Sequence, residues 1–360
     1  MTDFDIIIIG GGIGGISAAA RLSENCSVLL LERESTLGYH ASGRSAASYI
    51  KDYGNEVVRE LNERSFEFLQ TKNDGVLSDR GLMVLAKSSQ RNEFETSSKS
   101  LGLTEINLCE ATTYVPIIKS KVVAYASYRE DVYDLDTNLL ITNFEKEAKR
   151  NNAQIKNNAN VVKIEYVSSL WRILTDDGEY CSRILVNAAG AWVDHISDLA
   201  GIDKIGFLPL RRSMARIPLP SGFDVGNWAF FSGPMEDWYA KPDAGQLLVS
   251  PAEEELVQPH DAWAEDLILA EGIARYEEFV TTPVTKISSN WAGLRTFAPD
   301  RSLVVGSAKK NSTFFFLAGQ GGYGFQTAPA ASNLLKDLIM GLPNDLEKNT
   351  IKKLDPKRFN

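Results

Sequence analysis

The stretch Asp5 to Glu32, DIIIIGGGIGGISAAARLSENCSVLLLE, constrains the fold more than any other. Ile6 to Ile9 is an unbroken apolar run, the pattern of a strand buried on both faces. Gly10, Gly12 and Gly15 follow with G-x-G-x-x-G spacing. Ile13 to Ser23 reads as a helix with small residues toward the sheet, and Ser27 to Leu31 as a second buried strand. Gly10 permits a tight turn, Gly12 lets backbone approach a pyrophosphate, and Gly15 lets helix and strand pack closely. The helix start offers free N–H groups and a positive dipole end to that pyrophosphate. Glu32 lies 22 residues after Gly10, near the distance at which a carboxylate reaches a ribose hydroxyl. The same charge would repel a 2′-phosphate, which argues against NADP. Strand, glycines, helix and acid together predict a dinucleotide-binding βαβ unit.

A chain of 360 residues has room for a large α/β unit with an inserted lobe. Its net charge of -9 argues against a nucleic-acid partner. No apolar run approaches the ~20 residues of a membrane span, and no basic n-region precedes the first strand, so a cytoplasmic location is expected. Cys26, Cys109 and Cys181 are isolated, and His40, His195 and His260 share no ligand spacing, so neither a disulfide framework nor a metal is expected.

Further on, Arg33 to Tyr49 is rich in small and hydroxyl residues, either a surface loop or a loop along a cofactor. Helices are expected at Asn55–Gln70, Arg91–Leu101, Leu135–Arg150, Val193–Ala200, Asp261–Phe279 and Ala330–Met340. In the helix from Leu135, Leu139, Leu140, Phe144 and Ala148 should face inward. Strands are expected at 81–86, 154–155, 161–166, 171–175 and 180–182, with an Asp177-Gly178 hairpin turn. Ile184 to Asn187 reads as a separate strand returning to the cofactor. The proline-rich region 208–259, Pro220 included, reads as an inserted, mostly antiparallel lobe. Gly319, Gly321 and Gly324 repeat the glycine spacing, yet no acid closes a following strand. This is a glycine-rich helix start rather than a second dinucleotide site. Glu253-Glu254-Glu255 reads as a solvated face.

In this order the pieces resemble the FAD-dependent D-amino-acid oxidase-like superfamily, the glycine and sarcosine oxidase group. The resemblance rests on GGGIGG with Glu32, GYHASGRSAA, VNAAGAW, WAGLRTFAPD and GQGGYGFQ, and covers nearly the whole chain. Within that group the chain is most similar to the D-arginine dehydrogenase type, through Tyr53-Gly54, Arg211-Arg212-Ser213, Tyr239 and KPDAG. The resemblance implies an α/β fold: a Rossmann-like FAD-binding domain (1–78, 135–206 and 291–345) with an inserted, mostly antiparallel β-sheet substrate domain (79–134 and 207–290) and a tail at 346–360.

It also implies noncovalent FAD, since no cysteine matches the covalent attachment point of sarcosine oxidases. Cofactor contacts are implied at Gly10, Gly12, Ile13, Gly14 and Gly15, then at Glu32 and Arg33. The loop Ser42, Gly43, Arg44, Ser45, Ala46 and Ala47 would continue them. Val162 would follow, then Ala188, Ala189, Gly190 and Trp192. Arg295, Gln320, Gly321, Gly322, Tyr323, Gly324 and Gln326 would complete the site.

Arg212 and Arg295 correspond to a substrate carboxylate clamp, and an arginine fork does match a carboxylate bidentately. Either could instead be a surface ion-pair residue. Tyr53 and Tyr239 correspond to active-site phenols, though most tyrosines are half-buried core. Ser48 stands where the D-arginine type has a histidine. Leu82 stands where that type has a glutamate for a cationic side chain, which favours a neutral or apolar one. The implied reaction oxidises a D-amino acid by hydride transfer to flavin N5, then hydrolysis to keto acid and ammonia. The strand Gln246–Ser250 lacks the lysine that promotes oxygen reaction in sarcosine oxidases, so a quinone-like acceptor is favoured over O2. Glycine or sarcosine oxidation, 2-hydroxy-acid oxidation and a noncatalytic flavin-binding subunit remain alternatives.

Overall fold

The computed structural model describes residues 2–219 and 222–359; Pro220 lies outside them. Two large sheets organise the chain. In the first, Thr2–Ile9 lies parallel between Val28–Leu31 and Gly178–Asn187. Gln154–Lys156 adds on one side, and Phe314–Ala318 pairs with the end of Gly178–Asn187 on the other. Ile6, Ile7 and Ile8 are wholly buried, each worth about 1.5–3 kcal/mol relative to exposure. Helices Ile13–Leu22, Thr137–Arg150, Glu56–Thr71 and Gly324–Met340 pack together over this sheet.

The second sheet is antiparallel except where Leu82, Met83 and Val84 run parallel to Phe230–Ser232. Its backbone is the long pair Leu208–Ile217 and Ser289–Phe297. Because Ser289–Phe297 pairs along its whole length with Leu208–Arg216, a division placed at residue 291 would cut a strand. A third, small sheet joins Ser48–Tyr49, Tyr133–Leu135 and Leu77–Asp79. The segment from 346 is no loose tail, since Leu346 and Leu354 are buried in the core of the first sheet.

Several elements differ from expectation. Gly178–Asn187 is one continuous strand, not two. Its start forms the hairpin with Leu170–Thr175 and its end joins the parallel sheet, so one strand serves both. The last long helix begins at Gly324, not Ala330. Pro329 sits inside it, and the N–H of Ala330 is taken by Ser65 Oγ at 3.1 Å. An interior proline normally breaks a helix, yet this one is accommodated. The helix expected from Asp261 begins at Asp266. Leu139 faces solvent at 38% exposed, while Leu140, Phe144 and Ala148 are buried. Asp136 caps that helix by accepting from the Leu139 N–H at 2.8 Å.

Candidate active site

The first glycines do what their spacing requires. Gly10 adopts φ +106°, and a Cβ there would lie 2.5 Å from the Ala188 carbonyl oxygen. A Cβ at Gly15 would overlap the Gly10 carbonyl oxygen. At the helix start the Ile13 N–H donates to Ser42 Oγ at 3.0 Å. Glu32 is buried and accepts from Gly11 N–H at 2.5 Å and Glu34 N–H at 2.8 Å.

These groups open onto a cavity of about 790 Å³ between the two sheets. Gly10 to Gly12, Glu32, Arg33, Ala188 to Trp192 and the second-sheet segment Leu256–His260 line it. Arg33 lies over the Trp192 ring at 4.0 Å. A smaller chamber of about 120 Å³ shares Gly12, Ser42, Arg44, Ala188 and Gly190 with the first, so the two form one elongated channel. Ile13, Gly14, Ser45 to Ser48, Arg212, Arg295, Gln320 to Gly322, Gly324 and Gln326 line the smaller end.

The arginine pair follows from strand register. Leu210 lies opposite Arg295, and Arg212 opposite Gly293. Directly opposed residues share a face, and alternate residues of a strand do too. Arg212 and Arg295 are therefore diagonal neighbours facing the channel, whereas Arg211 faces away and pairs with Glu255 and with Glu265 at 2.8 Å. Arg212 is buried; its Nε donates to the Glu253 carbonyl at 2.9 Å and Nη2 lies 3.4 Å from Glu254, leaving Nη1 without a partner. Arg295 makes no ion pair among the described residues. Of Glu253–Glu255, Glu254 and Glu255 are exposed as expected while pairing with Arg212 and Arg211, and only Glu253 turns inward. Glu254 binds Arg301 bidentately at 3.0 and 2.8 Å. The Glu253 carboxylate oxygens are buried without a partner, and burial pushes its pKa up.

Tyr53 and Tyr239 stand beside the arginines rather than along the channel. Arg212 lies 5.9 Å from the Tyr239 ring, whose hydroxyl reaches Met214 Sδ at 3.7 Å. The Tyr53 hydroxyl donates to Glu236 Oε2 at 3.0 Å. Burial and then the Glu236 carboxylate push the Tyr53 phenol upward, and Arg295 opposes them. Glu236 was not a sequence candidate. Its neighbourhood shows no motif, and only the consecutive positive φ angles of Met235 and Glu236 mark the turn that brings it in. Leu82 is buried in an apolar cluster with Ile50 and Val132, against Tyr53 and Phe230.

Four residues expected to contact the cofactor do not line the channel. Val162 is 43% exposed, and Val161 faces the cavity instead, because neighbours on a strand point to opposite sides. Gly15 lies under the turn rather than on the channel. Gly43 does not line it; its N–H closes the loop onto the Gly38 carbonyl at 2.5 Å. Tyr323 packs its ring against Tyr53 at 5.1 Å.

The channel suits a flavin dinucleotide. One end is a glycine turn and helix start beside a carboxylate; the other collects buried polar atoms without partners: Ser48 Oγ, Thr296 Oγ1, Gln326 Nε2 and Arg212 Nη1. The model of the DAO family, "FAD dependent oxidoreductase", matches residues 5–338. The chain belongs to this family. Its cofactor is FAD.

Among DAO-family relatives, the glycerol 3-phosphate dehydrogenase of Caloramator mitchellensis is 24% identical over 369 residues, 96% of this chain and 75% of that protein. The glycine oxidase of Bacillus licheniformis is 23% identical over 362 residues, 94% of each chain. The crystal structure of glycine oxidase from Geobacillus kaustophilus superposes with a TM-score of 0.84 at 18% identity, covering 99% of each chain, which shows a common fold. Among the described residues, no helix is long and apolar enough to cross a membrane.

Proposed function

We propose that this DAO-family enzyme oxidises a D-amino acid with a neutral or apolar side chain. The observation that carries this reading is the arginine pair: two guanidinium groups on one sheet face, neither opposed by a fully engaged carboxylate. A substrate carboxylate bound there gains charge-assisted, bidentate hydrogen bonds. Tyr53 and Tyr239 close the sides, and the buried Leu82 cluster makes the nearby wall apolar. Likeness to the D-arginine dehydrogenase type is part of the same reading and rests on the shared GRSAA, RRS and KPDAG runs. So are the absence of a covalent flavin link and a quinone-like electron acceptor in place of O2.

Bound FAD would supply the two-electron acceptor for the oxidation. The chain's own residues bind and orient: Arg212 and Arg295 fix the carboxylate, and Gln326 and the glycine-rich helix start present N–H groups at the smaller chamber. Positioning of this kind supplies much of a rate enhancement. A neutral amine is required for oxidation, so the rate should rise with pH until the bound amine is deprotonated.

The glycine oxidase relative supports a second amine reading, oxidation of glycine or a secondary amine at the same clamp. The test is anaerobic titration of the purified holoenzyme with paired D- and L-amino acids, glycine, sarcosine and 2-hydroxy acids. Bleaching of the flavin band by D-amino acids alone supports the proposal. Bleaching only by glycine or sarcosine moves the function to the second reading, and bleaching only by a hydroxy acid rejects both.

A further inference from the structure

Lys241 is a buried cation that the reading above does not use. It lies on the strand Tyr239–Asp243, two residues beyond Tyr239, and so points to the same face. It is 6% exposed. Its ammonium forms an ion pair with Asp134 at 2.7 Å and donates to the Ala47 carbonyl at 3.1 Å. Asp134 already has a partner: Arg80 reaches it through Nε at 2.8 Å and Nη2 at 2.7 Å, and its Nη1 also binds two backbone carbonyls. A second cation is therefore not needed to neutralise Asp134, and burying one is costly unless it is paired and hydrogen-bonded. Both Arg80 contacts fall on Oδ2, so Lys241 takes Oδ1 and, beyond that, adds the bond to the Ala47 carbonyl.

Ala47 and Ser48 both line the smaller chamber. The Ala47 carbonyl is also held by the Leu135 N–H at 3.3 Å, and Ser48 pairs in register with Asp134. The peptide between them is thus fastened from its outer side. Ser48 Oγ remains buried in the chamber wall without a partner. A buried hydroxyl left unpaired is unfavourable, so a ligand atom is expected to complete it.

We propose that Lys241 is a positioning residue: by holding the Ala47 carbonyl it aims the Ser48 hydroxyl at the substrate's amine. This rests on the amino-acid reading of the site. Ser48 accepts a hydrogen bond from the amine, while the arginine pair holds the carboxylate. Lys241 touches neither group and acts through the loop.

The test is a double-mutant cycle on holoenzyme: wild type, K241M, S48A and K241M/S48A, with K241R as the charge-retaining control. Each is reduced anaerobically with D-alanine, D-leucine and glycine, and each is titrated with propionate, an amine-free carboxylate, through the flavin spectrum. K241M and S48A should each slow reduction by about tenfold, and the double variant should be no slower than S48A alone. K241R should recover most of the rate, and propionate affinity should stay within about twofold throughout. Additive losses, or a parallel loss of propionate binding, overturn the role of Lys241. If K241M does not retain FAD, K241Q replaces it in the same cycle with the same criteria. Failure of all three amino acids to reduce the wild type overturns the amino-acid reading and this proposal together, which separates it from failure of Lys241 alone.

Discussion

The Tyr53 phenol donates to Glu236 at 3.0 Å across a sequence separation of 183 residues. Arg295 shares the electrostatic field of both groups. Burial works to lower the Arg295 pKa, but Tyr239, Tyr53 and Glu236 outweigh it, so this arginine stays charged at any working pH. Glu236 reaches Tyr53 from a turn of the second sheet.

Removing the phenol while keeping the ring isolates that bond. Y53F is expected to lower kcat/KM by about tenfold, about 1.4 kcal/mol, the size of a hydrogen bond to a charged group. Steady-state kinetics with the best substrate of the panel check this. Unchanged kcat/KM would mean that the Tyr53–Glu236 contact has no part in binding or turnover.

The turn beneath the first helix tolerates no side chain. In G15A the new methyl group meets backbone, not a flexible side chain. The variant should lose FAD or fail to fold, read as flavin absorbance per protein and as the melting transition. Retention of full flavin would show that the helix can move off the strand at little cost.

Glu253 gives a pH signature. Its pKa is raised, chiefly by burial, against the lowering influence of Ser213 and Arg212. Between its unfolded and folded values the native state holds a proton that the unfolded chain has released. Stability contributed by this group therefore falls as pH rises through that window. E253Q removes the titration at constant shape. Holoenzyme carrying it should melt with the wild type near pH ~4 and above it at pH ~8, the ordinary glutamate value being ~4.3. A variant that melts lower at the higher pH contradicts a buried, disfavoured charge.

The loop along the cofactor is tied to the second sheet. Arg44 pairs with Asp261 and donates to the carbonyls of Ala262 at 2.7 Å and Ala292 at 3.0 Å. Asp261 is largely exposed, so D261N should weaken FAD binding by no more than about fivefold, and less in high salt. R44A breaks the carbonyl contacts as well and should weaken it more. FAD fluorescence titration of the apoprotein checks both. Equal effects of the two variants would place the restraint in the ion pair alone.

The opening βαβ unit was legible because its signals are local. An apolar run, three glycines and an acid at fixed spacing have one geometric solution, and Gly10, Gly15 and Glu32 occupy it. The alternation rule also separates Arg212 from Arg211 once their strand is known. The misreadings share another cause. Val162 and Val161 differ only in which face of a strand each takes, and the sequence does not show where the cavity lies. The last long helix starts before Ala330 with Pro329 inside it, and the Ser65 hydroxyl that bonds the Ala330 N–H comes from a helix 265 residues away. Glu253 looked solvated like its exposed neighbours Glu254 and Glu255 because nothing local shows that its carboxylate is buried.

The sequence alone determined a dinucleotide-binding βαβ unit and an inserted antiparallel lobe, since backbone sterics and hydrophobic periodicity act over a few residues, while the flavin-dependent family came from the resemblance of its motifs. Only the tertiary structure decided what surrounds the two arginines and the loop beside them. Glu236 beside Tyr53, Glu254 shared by Arg212 and Arg301, and Lys241 on the Ala47 carbonyl are contacts between distant segments. Electrostatic and hydrogen-bond partners act over a few ångströms of space, and that proximity exists only after the two sheets have closed on each other.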